Sequence, residues 1–141
     1  MRRSLSTVAP TSTLGPVAST TVLLADDDDR FRTLVRSVLE DDGYVVVAEA
    51  ADAATTVELA EAHHPDIVVL DLVMSGADGL STVRRLRTDD PTRPVLVLSS
   101  LVDPAVEEQA ARLGAAYLDK TAGLDALEAA IDAAIASAIS P

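Results

Sequence analysis

The chain has no cysteine. That excludes disulfides and thiolate chemistry, and it leaves the redox compartment open. Histidine is nearly absent as well. His63 and His64 stand side by side before Pro65, at the end of an apparent helix, so a nucleophile–histidine triad has no support. Long apolar runs are missing. Hydrophobic residues make up 48% of the chain but come in short runs, far from the ~18 that a membrane span needs. Positive charge is scarce, with 11 Lys and Arg against 23 Asp and Glu and a net charge of -12. A field of that sign repels phosphate backbones, so direct nucleic-acid binding is not expected, nor membrane association; a cytoplasmic location is. Acidic residues are absent from the first twenty positions, which carry Arg2, Arg3, Pro10, Pro16 and many Ser and Thr. No apolar segment of signal-peptide type follows the two arginines, and the composition fits a disordered tail over residues 1–20. The remaining residues, 21–139, fit one domain.

From Thr21 onward two patterns alternate. Short apolar runs occur at Val22–Ala25, Val45–Ala48, Ile67–Leu70, Val95–Leu98 and Ala116–Leu118. Continuous Val/Ile/Leu runs suit strands buried on both faces of a parallel sheet. Between them lie helical stripes. Phe31, Leu34, Val35, Val38 and Leu39 form the first, stopped by Gly43. Asp52 is placed to cap a second helix carrying Ala53, Val57 and Ala60. Leu80, Val83 and Leu86 mark a third helix, starting at Asp78. Asp103-Pro104 opens a fourth with Val106, Ala110 and Leu113 inward, and Leu124, Leu127, Ile131, Ala134, Ile135 and Ala138 mark the last. Strand then helix, five times, predicts an α/β protein with a parallel sheet and helices on both faces.

Ligands of such sheets bind beyond the carboxyl ends of the strands. Asp26, Asp27, Asp28 and Asp29 follow the first apolar run, Asp71 the third, Ser99 and Ser100 the fourth, and Lys120 the fifth. The second run ends in Glu49 and Ala50, which an edge strand could leave as bystanders. Carboxylates converging from neighbouring strands repel one another unless a cation intervenes. A hard divalent ion, a lysine ammonium and a serine hydroxyl around one carboxylate would form a charge clamp for a phosphoryl group.

Leu23-Leu24-Ala25-Asp26-Asp27, then Leu70-Asp71 with Met74-Ser75-Gly76-Ala77-Asp78-Gly79, then Leu98-Ser99-Ser100, then Tyr117-Leu118-Asp119-Lys120, resembles a response-regulator receiver domain over residues 21 to 139. The resemblance implies a (βα)5 flavodoxin-like, doubly wound parallel sheet of strand order 2-1-3-4-5. It implies a phosphorylated switch of two-component or phosphorelay signalling rather than an enzyme. Asp71 would be the phosphoacceptor. Asp27 and Asp71 would ligate Mg2+, Asp26 would act on it mostly through water, and the backbone carbonyl of Val73 would complete the protein ligands. Ser99 and Lys120 would contact the phosphoryl group, and Tyr117 would report the state of Ser99. Val73 and Leu101 would flank the phosphoryl group and tune its hydrolysis. The implied partners are a sensor histidine kinase or phosphotransfer protein and a downstream protein, with a homodimer on phosphorylation also within the pattern.

Three features depart from the commonest receiver. Ser75 and Thr121 stand where proline is frequent, and the chain as given ends soon after the fifth helix, without an output domain. The register of the four-Asp run follows from Asp26-Asp27 adjoining the strand, which leaves Asp28 and Asp29 to the first helical turn. Two other arrangements are weighed. One is a receiver fragment of a larger DNA-binding regulator. The other is a haloacid-dehalogenase-like phosphatase using Asp26-x-Asp28, Ser99 and Lys120, which would need a later acidic pair and would leave Asp71 unexplained.

Overall fold

The apolar runs become strands whose alternate side chains feed two separate cores. The computed structural model describes residues 19–74, 77–100 and 103–139. Its main sheet comprises β1 (Thr21–Ala25), β2 (Val45–Ala50), β3 (Ile67–Asp71), β4 (Val95–Ser99) and β5 (Ala116–Asp119). All pairings in it are parallel, in the order β2-β1-β3-β4-β5, as the resemblance implies. The helices are α1 (Asp29–Asp41), α2 (Ala53–His63), α3 (Gly79–Asp89), α4 (Pro104–Arg112) and α5 (Leu124–Ile139).

Successive strand residues point to opposite faces. Val22, Leu24, Ile67, Val69, Leu96 and Leu98 therefore pack with Val35 and Leu39 of α1 and Leu127 and Ile131 of α5. Leu23, Val68, Leu70, Val95 and Val97 pack on the other side with Ala60, Val83, Leu86 and Ala110 of α2, α3 and α4. β3 and β4 are buried throughout, which accounts for their unbroken apolar sequence. Aspartates begin four helices: Asp28, Asp52, Asp78 and Asp103 each accept main-chain N–H bonds as N-caps of α1 to α4.

The stripes need some correction. Leu34 is 52% exposed: it lines a shallow apolar pocket with Phe31, Leu118 and Leu124 instead of entering the core. In α4 only Ala110 is buried, while Val106 and Leu113 are partly covered. β2 runs two residues longer than expected, and Val47 has no partner in β1 because the register shifts there. A short antiparallel ribbon, Val73–Met74 against Ala77–Asp78, was not expected from sequence. Most of the expected N-terminal tail, Ser75 and Leu101 lie outside the described residues. Among the described residues, no helix is long and apolar enough to cross a membrane.

Candidate functional site

Parallel strands bring their carboxyl ends to one edge, so Asp26, Asp71, Ser99 and Lys120 approach one another although spread over 95 positions of the chain. Asp71 closes β3 and is buried at 5% exposure. Its Oδ1 accepts the Val73 N–H at 3.1 Å, and its Oδ2 faces Lys120 Nζ at 3.1 Å. The same ammonium lies 2.7 Å from Asp26 Oδ2 and 4.4 Å above the centre of the Phe31 ring. Asp26, Asp27 and Asp71 each offer a carboxylate oxygen, and these oxygens lie within 4.8 Å of one another. Asp26 is buried and Asp27 exposed, so the group opens to solvent on the Asp27 side.

The electrostatics follow from this packing. Burial pushes the Asp71 carboxyl above the usual range; the Val73 N–H opposes the shift, Asp26 adds to it, and Lys120 offsets it only in part. Burial alone would lower Lys120, but hydrogen bonds and charge from Asp26 and Asp71 hold it above its ordinary value. Three carboxylates against one ammonium leave the cluster net negative. Hard oxygen donors at this spacing suit a divalent cation such as Mg2+.

Local sequence explains how each group is held. Gly79 lies under the loop after Asp71. A Cβ there would meet the Leu72 carbonyl oxygen at 2.3 Å, so only glycine lets α3 start this close to the end of β3. Lys120 donates its main-chain N–H to Ser99 O at 2.9 Å, which ties the ends of β4 and β5. Thr121 closes the turn after β5: its N–H and hydroxyl both donate to Asp119 Oδ1, at 2.8 and 2.7 Å. The Lys120–Thr121 peptide is trans. Ser99 is buried and lines a cavity of about 210 Å3 together with Leu72, Val73, Leu80, Asp103 and Val106. Tyr117 packs against the core on the α2–α4 side. Val73 is 62% exposed in the short ribbon, and Leu101 lies outside the described residues.

Glu49 is no bystander. It accepts from Arg32 Nε at 3.1 Å and from Arg36 Nη1 at 2.7 Å. Burial would raise its carboxyl, but the two arginines together hold it below the usual range. Arg32 also donates to the Asp26 carbonyl and to Asp29. Neither Arg32 nor the lysine-facing role of Phe31 was read from sequence. The only available signal was their place, five and four residues after Asp27, on the helix that follows the acidic run.

Residues 22–132 match the family model described as response regulator receiver domain. The chain belongs to this family. It is 33% identical over 127 residues to the transcriptional regulatory protein PdtaR of Mycobacterium tuberculosis, covering 89% of this chain and 62% of that one. It is 40% identical over 85 residues to a protein-glutamate methylesterase/protein-glutamine glutaminase of Natronomonas pharaonis, covering 60% of this chain and 24% of that protein. The receiver thus spans from about a quarter to under two thirds of these curated relatives. Among solved structures, a two-component response regulator of the LuxR family from Aurantimonas sp. SI85-9A1 superposes with a TM-score of 0.80 at 34% identity, covering 85% of this chain and 87% of that one.

Proposed function

We propose that this receiver accepts a phosphoryl group on Asp71 from a phosphohistidine of a sensor kinase or phosphotransfer protein. The observation that carries the reading is the lysine bridge: Lys120 Nζ touches both the Asp71 and Asp26 carboxylates beside the exposed Asp27. In the transfer, an Asp71 carboxylate oxygen bonds to phosphorus, the P–N bond to the donor imidazole breaks, and the imidazole leaves with a proton. Asp26, Asp27, Asp71 and the Val73 carbonyl would hold Mg2+, which when bound neutralises phosphoryl charge. Lys120 then pairs with the phosphoryl oxygens, and Ser99 donates its hydroxyl to one of them.

The incoming group adds charge and acceptor oxygens at Asp71. Ser99 turns toward them, and Tyr117 follows into the space released between β4 and α4. The face formed by α4, β5 and α5 changes, and a protein partner or a second copy reads it. The same site serves a receiver acting alone or one module of a longer DNA-binding regulator, as the length of the relatives allows. The phosphatase alternative lacks its later acidic pair near the site: Asp125, Glu128 and Asp132 line a different cavity with Asp42 and Tyr44.

Incubating the chain with acetyl phosphate and Mg2+ and measuring intact mass tests the reading. A gain of one phosphoryl group that Asp71→Asn abolishes is expected; an unchanged gain in that variant rules Asp71 out. Val73 and Leu101 have no polar side-chain atom to hold a hydrolytic water, so the phosphorylated form is expected to be long-lived. A lifetime of seconds would count against that.

A further inference from the structure

The acidic loop is tied to α1 by the Asp28 cap and, at the Asp26 carbonyl, by Arg32. Arg32 sits in the first turns of α1 with its side chain only 15% exposed. Its guanidinium spreads over three acceptors. Nη1 donates to the main-chain carbonyl of Asp26, Nε to Glu49 Oε1 at 3.1 Å, and Nη2 to Asp29 Oδ1. Glu49 is itself anchored, since Arg36 holds its other oxygen at 2.7 Å. The edge strand β2 thus braces Arg32 from behind.

The Asp26 carbonyl belongs to the peptide unit that joins Asp26 to Asp27. That unit is planar, so a bond to its oxygen orients the plane from which both residues hang. The other polar groups of Asp26 are held elsewhere. Its N–H donates to Ala50 O at 2.9 Å, Oδ1 accepts from Asp28 N–H at 2.8 Å, and Oδ2 faces Lys120. Arg32 supplies the remaining tie.

We propose that Arg32 is a positioning residue for divalent-metal binding: its fork sets the Asp26–Asp27 peptide in advance and so raises the affinity of the acidic cluster. This rests on reading Asp26, Asp27 and Asp71 as the Mg2+ site. Charge and geometry predict opposite signs here. A cation near a metal site repels the metal, so an Arg32 acting by charge alone would weaken binding, and its removal would tighten it. An Arg32 acting by position strengthens binding, and its removal weakens it. Arg32→Lys keeps the charge but has no planar fork to reach three acceptors at once.

The test is calorimetric titration of Mg2+ into the full 141-residue chain at fixed ionic strength, with metal-free thermal unfolding measured in parallel. Arg32→Met and Arg32→Lys are both expected to raise the Mg2+ Kd about ten-fold or more, the usual cost of losing an outer-shell partner. Arg36→Gln loses ion pairs to Glu40 and Glu49 but leaves all three Arg32 bonds. It is expected to stay within about two-fold, as exposed pairs contribute little. Unchanged or tighter binding by Arg32→Met overturns the proposal, as does full retention of affinity by Arg32→Lys. If Arg32→Met does not fold, the lysine variant decides alone. A wild-type chain that binds no Mg2+ sinks this proposal together with the metal site. A wild type that binds Mg2+ and loses it with Asp27→Asn, while the Arg32 variants bind as before, sinks only the role of Arg32.

Discussion

The two flanks of the acidic site are held by different means. On one side α1 buries Val35 and Leu39, ties the acidic loop through Arg32, and sets Phe31 against the Lys120 ammonium. On the other side α4 buries only Ala110 and is capped by Asp103, and a cavity of about 210 Å3 separates its Val106 from Leu72 and Ser99. The acidic flank is braced by packing and charge together. The serine flank has room to move at low cost, because few buried apolar contacts hold it.

The largest expected effect probes this contrast directly. Leu39→Ala, on the braced flank, should destabilise the fold by about 3 kcal/mol, as a fully buried leucine leaves a cavity. Val106→Ala in α4 should cost about 1 kcal/mol or less, because that side chain is only partly covered. Urea unfolding of the two variants gives the comparison, and equal losses would break it. Next in size is the charge between the flanks. The folded-state pKa of Asp71 is raised, so the native state binds more protons than the unfolded chain across that window. Stability then falls as pH rises through it. At pH 7 without metal, Asp71→Asn should therefore raise stability by about 1 kcal/mol, with Lys120 still paired to Asp26. The gain should vanish at pH values where Asp71 is already protonated, and thermal unfolding in chelator at both pH values checks it.

The smallest effect concerns Glu49. Its folded-state pKa is lowered, so its contribution is present above its unfolded value and is lost as pH falls through the folded one. Glu49→Gln should cost about 0.5 kcal/mol at pH 7, given the partial exposure of these pairs, and nothing in acid below the usual carboxylate range. A constant difference across that range would mean that Glu49 acts by packing and not by charge.

Much of this was legible in the chain itself. The apolar runs announced β1, β3 and β4, because strands buried on both faces tolerate no polar residue. Asp52, Asp78 and Asp103 announced their helices, because capping is a local hydrogen bond. The residues brought to the sheet edge also came from local pattern, since whatever follows a parallel strand lies at its carboxyl end. Three features escaped. Leu34 fits the helical stripe yet stays half exposed in a shallow pocket, because periodicity does not report how closely neighbouring elements cover a helix face. The ribbon pairing Val73 with Asp78 was too short to leave a pattern. Glu49 looked idle because its partners come from another element.

Asp71, Lys120 and the runs 26–29 and 99–100 stand out as site candidates from the alternation of strands and helices, since each follows a strand that local pattern defines; the choice of Asp26, Asp27 and Ser99 within the runs came with the receiver resemblance. Which of them touch was decided by the tertiary structure. Strand order and register set Lys120 between Asp26 and Asp71, and the packing of α1 on β1 and β2 brought Arg32 and Phe31 to the same edge. Local sequence determines conformation over a few bonds. Electrostatic partners close at distances of a few ångströms between residues tens of positions apart, and only the folded packing sets those distances.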